Sequence, residues 1–126
     1  MEQENVKVLL EDWFGNLFPG DVGKGARKTY AKLKIRTEQR SMPTAGNYYN
    51  RARMVLKDRG NILEAEQDSR LLLAMGSGKN NGNPTLVEIL FEDRQLHISA
   101  WAKEGLFPQK SAPLAVSRCL EAMKLI

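Results

Sequence analysis

Three strand-like runs crowd into residues 70 to 102, Arg70 to Met75, Thr85 to Phe91 and Gln95 to Ala102, and their spacing limits what the chain can build. Parallel neighbours need a connection of a dozen or more residues, and neither link is that long. The runs are therefore predicted to pair antiparallel as a meander, with Glu92-Asp93-Arg94 turning a hairpin over residues 85 to 102. The longer link, Ser77 to Pro84, holds two glycines, three asparagines and a proline, the composition of a mobile loop.

Outside the meander, apolar residues recur mostly at helical steps. Val6, Leu9, Leu10, Trp13, Phe14 and Leu17 make a stripe over residues 5 to 18 that Pro19-Gly20 stops. Tyr48 or Tyr49, Ala52, Val55 and Leu56 make a second over 46 to 59, ended by Gly60. Leu114, Ala115, Cys119, Leu120 and Met123 make a third over 112 to 124, with Ser111 as cap and Pro113 near its first turn. Residues 29 to 37 alternate instead: Thr29, Ala31, Leu33, Ile35 and Thr37 on one side, Tyr30, Lys32, Lys34 and Arg36 on the other. That period predicts a strand, against a competing helix through Ala26, Tyr30 and Leu33. The expected order is α, β, α, β, β, β, α. It describes one α+β domain over residues 1 to 126, an antiparallel β-meander packed with an N-terminal, a central and a C-terminal helix. From residue 44 onward this is the element order of double-stranded RNA-binding domains, an agreement of order alone, because Lys110 to Leu125 lacks the paired lysines that open that family's second helix.

Hydrophobic residues at 42% and charged residues at 27% are ordinary for a folded chain. The charge is unevenly placed. Residues 19 to 59 carry eleven Lys or Arg against Asp21, Glu38 and Asp58, whereas the flanking segments are each slightly acidic. Such clustering is the footprint of a surface that meets phosphates or another acidic partner. Cys119 has no second cysteine to pair with, the start Met1-Glu-Gln-Glu-Asn5 is acidic, and the apolar run Leu71 to Met75 is too short for a bilayer. A cytoplasmic or nuclear protein with no membrane partner is expected.

Enzymatic signatures fail on inspection. Gly78-Lys79 and Gly23-Lys24 each lack the upstream glycine and the following Ser or Thr of a phosphate loop. His97, the only histidine, shares a strand face with Ser99 and Trp101 and has no nucleophile near it in sequence. Cys119 lies on the buried stripe of the last helix and reads as a core residue. Glu64, Glu66 and Asp68 are spaced by two like a carboxylate metal set, yet like charges on one strand face repel, and a solvated edge or linker is the simpler reading. No cofactor, metal or catalytic residue is assigned.

The basic segment is more informative. On a strand, Tyr30, Lys32, Lys34 and Arg36 would present a ring and three cations to one side, while Tyr48 and Tyr49 add rings for stacking on unpaired bases. Arg51, Arg53, Lys57 and Arg59, with Asn47 and Asn50, would instead line a recognition helix of the winged-helix kind if residues 26 to 39 were helical. The predicted contact surface comprises these together with Lys24, Arg27, Lys28 and Arg40. The leading expectation is a non-enzymatic nucleic-acid-binding domain, for DNA or RNA. The alternatives are an interaction or subunit-type protein that meets an acidic partner, with Trp101 and Phe107 adding apolar surface, and a small metal-dependent hydrolase; a homo-oligomer is compatible with all three.

Overall fold

A computed structural model describes residues 1 to 105 and 108 to 126. Helices α1 (Gln3–Leu17) and α2 (Lys24–Ala31) precede strand β1 (Lys34–Pro43) and helix α3 (Tyr49–Leu56). Strands β2 (Asn61–Glu66), β3 (Arg70–Ser77), β4 (Asn83–Glu92) and β5 (Gln95–Glu104) follow, with a 3₁₀ turn at Lys79–Asn81, and helix α4 (Ser111–Ala122) closes the chain. The five strands form one antiparallel sheet in the order β1-β5-β4-β3-β2. The hairpin expected at 85 to 102 is β4–β5, with Val87 opposite Ala100 and Ile89 opposite Ile98. Phe107 lies outside the described residues.

Helices cover both faces. On one, Ala52 and Leu56 of α3 and Val116 and Leu120 of α4 pack against Leu71, Leu73, Val87, Ile89 and Ile98. On the other, Val6 and Leu10 of α1 and Tyr30 of α2 pack against Leu86 and Trp101. Period-two alternation along the strands sends successive residues to these two cores, and each fully buried Leu or Ile contributes about 2 kcal/mol. Trp101, expected as surplus surface for a partner, is buried in the second core.

Three expectations are corrected. Residues 29 to 37 are not one strand: α2 runs through Ala31 and β1 starts at Lys34. The helical spacing of Ala26, Tyr30 and Leu33 wins because it lets Tyr30 stack on Phe14 of α1, ring centroids 4.0 Å apart. Beyond Thr37 the strand continues through polar residues to Pro43, as an edge strand bonded on one side permits. A further strand, β2, contains Glu64 and Glu66, so four strands rather than three separate α3 from α4, and the order shared with double-stranded RNA-binding domains is lost. The winged-helix geometry is also absent, since α2 and α3 lie on opposite faces of the sheet.

Helix α4 is capped differently from expectation. Ser111 is its first residue and makes no side-chain cap; Glu104, at the end of β5, accepts hydrogen bonds from the N–H groups of Ser111 (2.6 Å) and Gln109 (3.2 Å). A carboxylate there complements the positive end of the helix dipole. The link Ser77 to Pro84 is tied to the same helix start: Ser77 Oγ donates to the Ser111 carbonyl (2.9 Å) and Asn83 Nδ2 donates to Ser111 Oγ (2.9 Å).

Candidate nucleic-acid interface

The fold divides the basic segment. Lys24, Arg27 and Lys28 lie on α2, Lys32 follows its end, and Lys34, Arg36 and Arg40 lie on β1 at one edge of the sheet. Arg51 and Arg53 on α3, with Lys57 and Arg59 just beyond, sit over the other face. The α2 and α3 cations therefore lie on opposite faces, while Lys34, Arg36 and Arg40, in register with Glu104, Ala102 and Ile98, point from the sheet edge toward the face that α3 and α4 cover.

The tyrosines are drawn inward. Tyr30 is 4% exposed and Tyr49 is 1% exposed, the latter edge-on to Phe91, so neither ring is offered to a base. Tyr48 is half-buried against the α3–α4 core. Tyr30 Oη is buried without a hydrogen-bond partner, and burial, with the Glu11 carboxylate adding to it, pushes its phenol well above the ordinary tyrosine range.

The trio Lys32, Lys34 and Arg36 does come together, by a route other than strand alternation. Lys34 and Arg36 point to the same side of β1, about 7 Å apart by strand geometry, and Lys32 joins them from the end of α2. With Leu33, Glu104 and Gly105 they line a hollow of about 330 Å³. At that separation two cations repel by roughly 0.6 kcal/mol in water, a cost that a bound anion relieves. Glu104 does not neutralise the trio by direct pairing, because both of its oxygens are engaged at the start of α4.

None of the eleven cations between residues 24 and 59 makes an ion pair among the described residues. The carboxylates that do pair, Glu11, Glu64, Glu66, Glu88 and Glu92, do so with Arg70, Lys103, His97 and the Met1 ammonium. Arg27 donates to the carbonyls of Phe18 and Gly20, Arg51 to that of Met123, and Arg53 to Tyr49 Oη. Lys24, Lys28, Lys32, Lys34, Arg36, Arg40, Lys57 and Arg59 have neither kind of partner among the described residues and are exposed.

The carboxylate set read from spacing is put to another use. Glu64 and Glu66 face Arg70, which also binds Glu88 at 2.7 Å, while Asp68 occupies a turn with φ 59°. Among the described residues no three His, Cys, Asp or Glu side chains are grouped to hold a metal. Cys119 is buried beside Met75, and burial pushes its thiol up to about 12.

One polar arrangement escaped the sequence. Ser41 Oγ lies 2.7 Å from His97 Nδ1, and His97 Nε2 lies 3.5 Å from Glu92. The β1–β5 register makes this contact by setting Ser41 opposite His97, and no local motif announces a partner that far away in the chain. The chemistry of acyl transfer also needs donors for an oxyanion in a water-excluded site. Here the His97 side chain is 39% exposed and that of Glu92 61%, on an open stretch of sheet, so the trio serves as a cross-strand polar contact.

Among the described residues no helix is long and apolar enough to cross a membrane. The chain matches no family model, no characterised protein and no solved structure, so its relationships leave the function to be argued from this geometry.

Proposed function

We propose that the protein is a non-enzymatic nucleic-acid-binding domain and that its main contact surface is the α2–β1 edge, formed by Lys24, Lys28, Lys32, Lys34 and Arg36. The observation that carries this reading is the division of charge. Among the described residues no acid pairs with a cation of residues 24 to 59, so the basic segment keeps its field and its counterions. Release of those counterions drives binding to a polyphosphate and makes it salt-dependent. Arg51, Arg53, Lys57 and Arg59 form a second patch around α3. A cytoplasmic or nuclear setting suits a lone reduced thiol such as Cys119.

A protein with an acidic surface is the competing partner, since it would meet the same cations. The burial of Trp101 weakens that reading, because it removes an apolar anchor from the surface. Fluorescence anisotropy with single-stranded DNA, duplex DNA and RNA over a salt series separates the two. About five phosphate contacts give a slope of log affinity against log salt of about −3.5 to −4.5. Absence of binding to all three at low salt contradicts the proposal.

A further inference from the structure

Resting on the reading just proposed, we infer that the groove between α1, α2 and the Lys79–Asn83 loop takes an unpaired base, so that the ligand is a single strand. The groove has a volume of about 610 Å³, within the range of small-molecule sites. Its wall is a row of rings. Tyr30 and Phe14 stack nearly parallel with centroids 4.0 Å apart, and Phe18 follows Phe14 at 4.8 Å. Phe18 ends the row 45% exposed, an unusual state for so apolar a ring, and a base can extend the stack there.

The opposite features of the wall leave room. A Cβ placed on Gly25 meets no atom within 4 Å, and one on Gly82 meets only the Lys79 carbonyl oxygen at 3.8 Å. The polar rim suits a nucleotide. Lys79 is exposed without an ion pair among the described residues, and its backbone N–H donates to Gln109 Oε1 at 3.1 Å, leaving the Gln109 amide nitrogen as a donor. Lys28 on α2 and Lys32 just past its end are exposed next in sequence to the groove residues Thr29 and Leu33, and Lys32 also lines the hollow with Lys34 and Arg36 around the sheet edge. A sugar-phosphate backbone on Lys28, Lys32 and Lys79 holds a base over Phe18 only if that base is free of a complementary strand. Rings and cations together favour this occupant over an acidic peptide, which has charge but no planar group.

Three probes of equal length test the inference: oligothymidylate, an abasic strand of the same charge, and a thymidine-containing duplex. Wild type is expected to bind oligothymidylate about tenfold more tightly than either of the others. Phe18→Ala should lose that tenfold and leave abasic binding unchanged. Gly25→Leu fills the groove from a helical position with open space, keeps every cation, and should do the same with its fold intact by circular dichroism. Lys28→Ala with Lys32→Ala should weaken thymidylate and abasic strands alike. If wild type binds thymidylate and abasic strands equally and neither Phe18→Ala nor Gly25→Leu changes either, the groove is not a base site, although the cationic surface still binds. If wild type binds none of the three, the proposed function itself fails. Binding of a decaglutamate peptide that Gly25→Leu abolishes would overturn the assignment in favour of a protein partner.

Discussion

Tyr30 shows how a residue's fate decides its role. In sequence it alternates with lysines like a stacking ring on a basic strand; in the fold it is buried between α1, α2 and the sheet, with its hydroxyl unpaired. A buried unsatisfied hydroxyl costs about 1–3 kcal/mol. Tyr30→Phe is therefore expected to stabilise the protein by about 1 kcal/mol in urea unfolding, and Tyr30→Ala to destabilise it by about 3–5 kcal/mol. A stabilised Tyr30→Ala that has lost nucleic-acid affinity would restore the surface role. Cys119 makes a second prediction at this scale. Its thiol is raised from the usual 9.0 to about 12 in the fold, so the unfolded chain gives up the proton first as pH rises. Stability from this group is complete below pH 9 and falls between about pH 9 and 12. Replacing Cys119 by Ala should flatten that alkaline limb of the unfolding profile, which a pH series of urea midpoints measures.

At the scale of elements, Lys103 and Glu104 at the end of β5 close one helix each, on opposite sides of the sheet. Lys103 Nζ donates to the carbonyls of Ala31 (3.2 Å) and Tyr30 (3.4 Å) at the end of α2, beside Glu11 at 3.3 Å, and Glu104 accepts from the start of α4. Each charge has the sign its helix end requires. Glu104→Ala leaves the buried Ser111 N–H unpaired and should cost about 1–3 kcal/mol in urea unfolding; an unchanged midpoint would mean that α4 is held by its apolar face alone. The helices α1, α3 and α4 and the β4–β5 hairpin were legible because their apolar residues carry the period of the element. β2 and the far half of β1 were not. As edge strands they bury little, so Glu64, Glu66, Gln39 and Arg40 stand where a central strand would show Val or Ile. The 29 to 37 segment carried two periods at once, and contact with Phe14 chose between them.

For the whole molecule, the decisive fact is which faces the charges reach. A sequence records that eleven cations lie close together in the chain. It does not record that the sheet separates Lys24, Arg27 and Lys28 on α2 from the cations on α3, or that Lys34 and Arg36 point from the edge strand toward the α3–α4 face, because that depends on which face each helix covers and on the β1–β5 register. The trio Lys32, Lys34 and Arg36 survives as a cluster, and the tyrosines do not join it. Cations on β1 also have a protective use, since lysine and arginine on an exposed edge deter pairing with another chain, as Glu64 and Glu66 do at the β2 edge. Edge protection predicts self-association when the cations are removed; phosphate contact predicts loss of binding by a monodisperse protein. The most direct measurement is the salt dependence of single-stranded DNA binding for wild type, for Lys32→Ala/Lys34→Ala/Arg36→Ala, and for Arg51→Ala/Arg53→Ala/Arg59→Ala. The first triple is expected to make the slope shallower by about two to three units, with an unchanged thermal midpoint. The second should leave the slope within about one unit of wild type. Equal slopes for wild type and the β1-edge triple, or a larger loss from the α3 triple, would contradict the assignment of the contact surface to the α2–β1 edge.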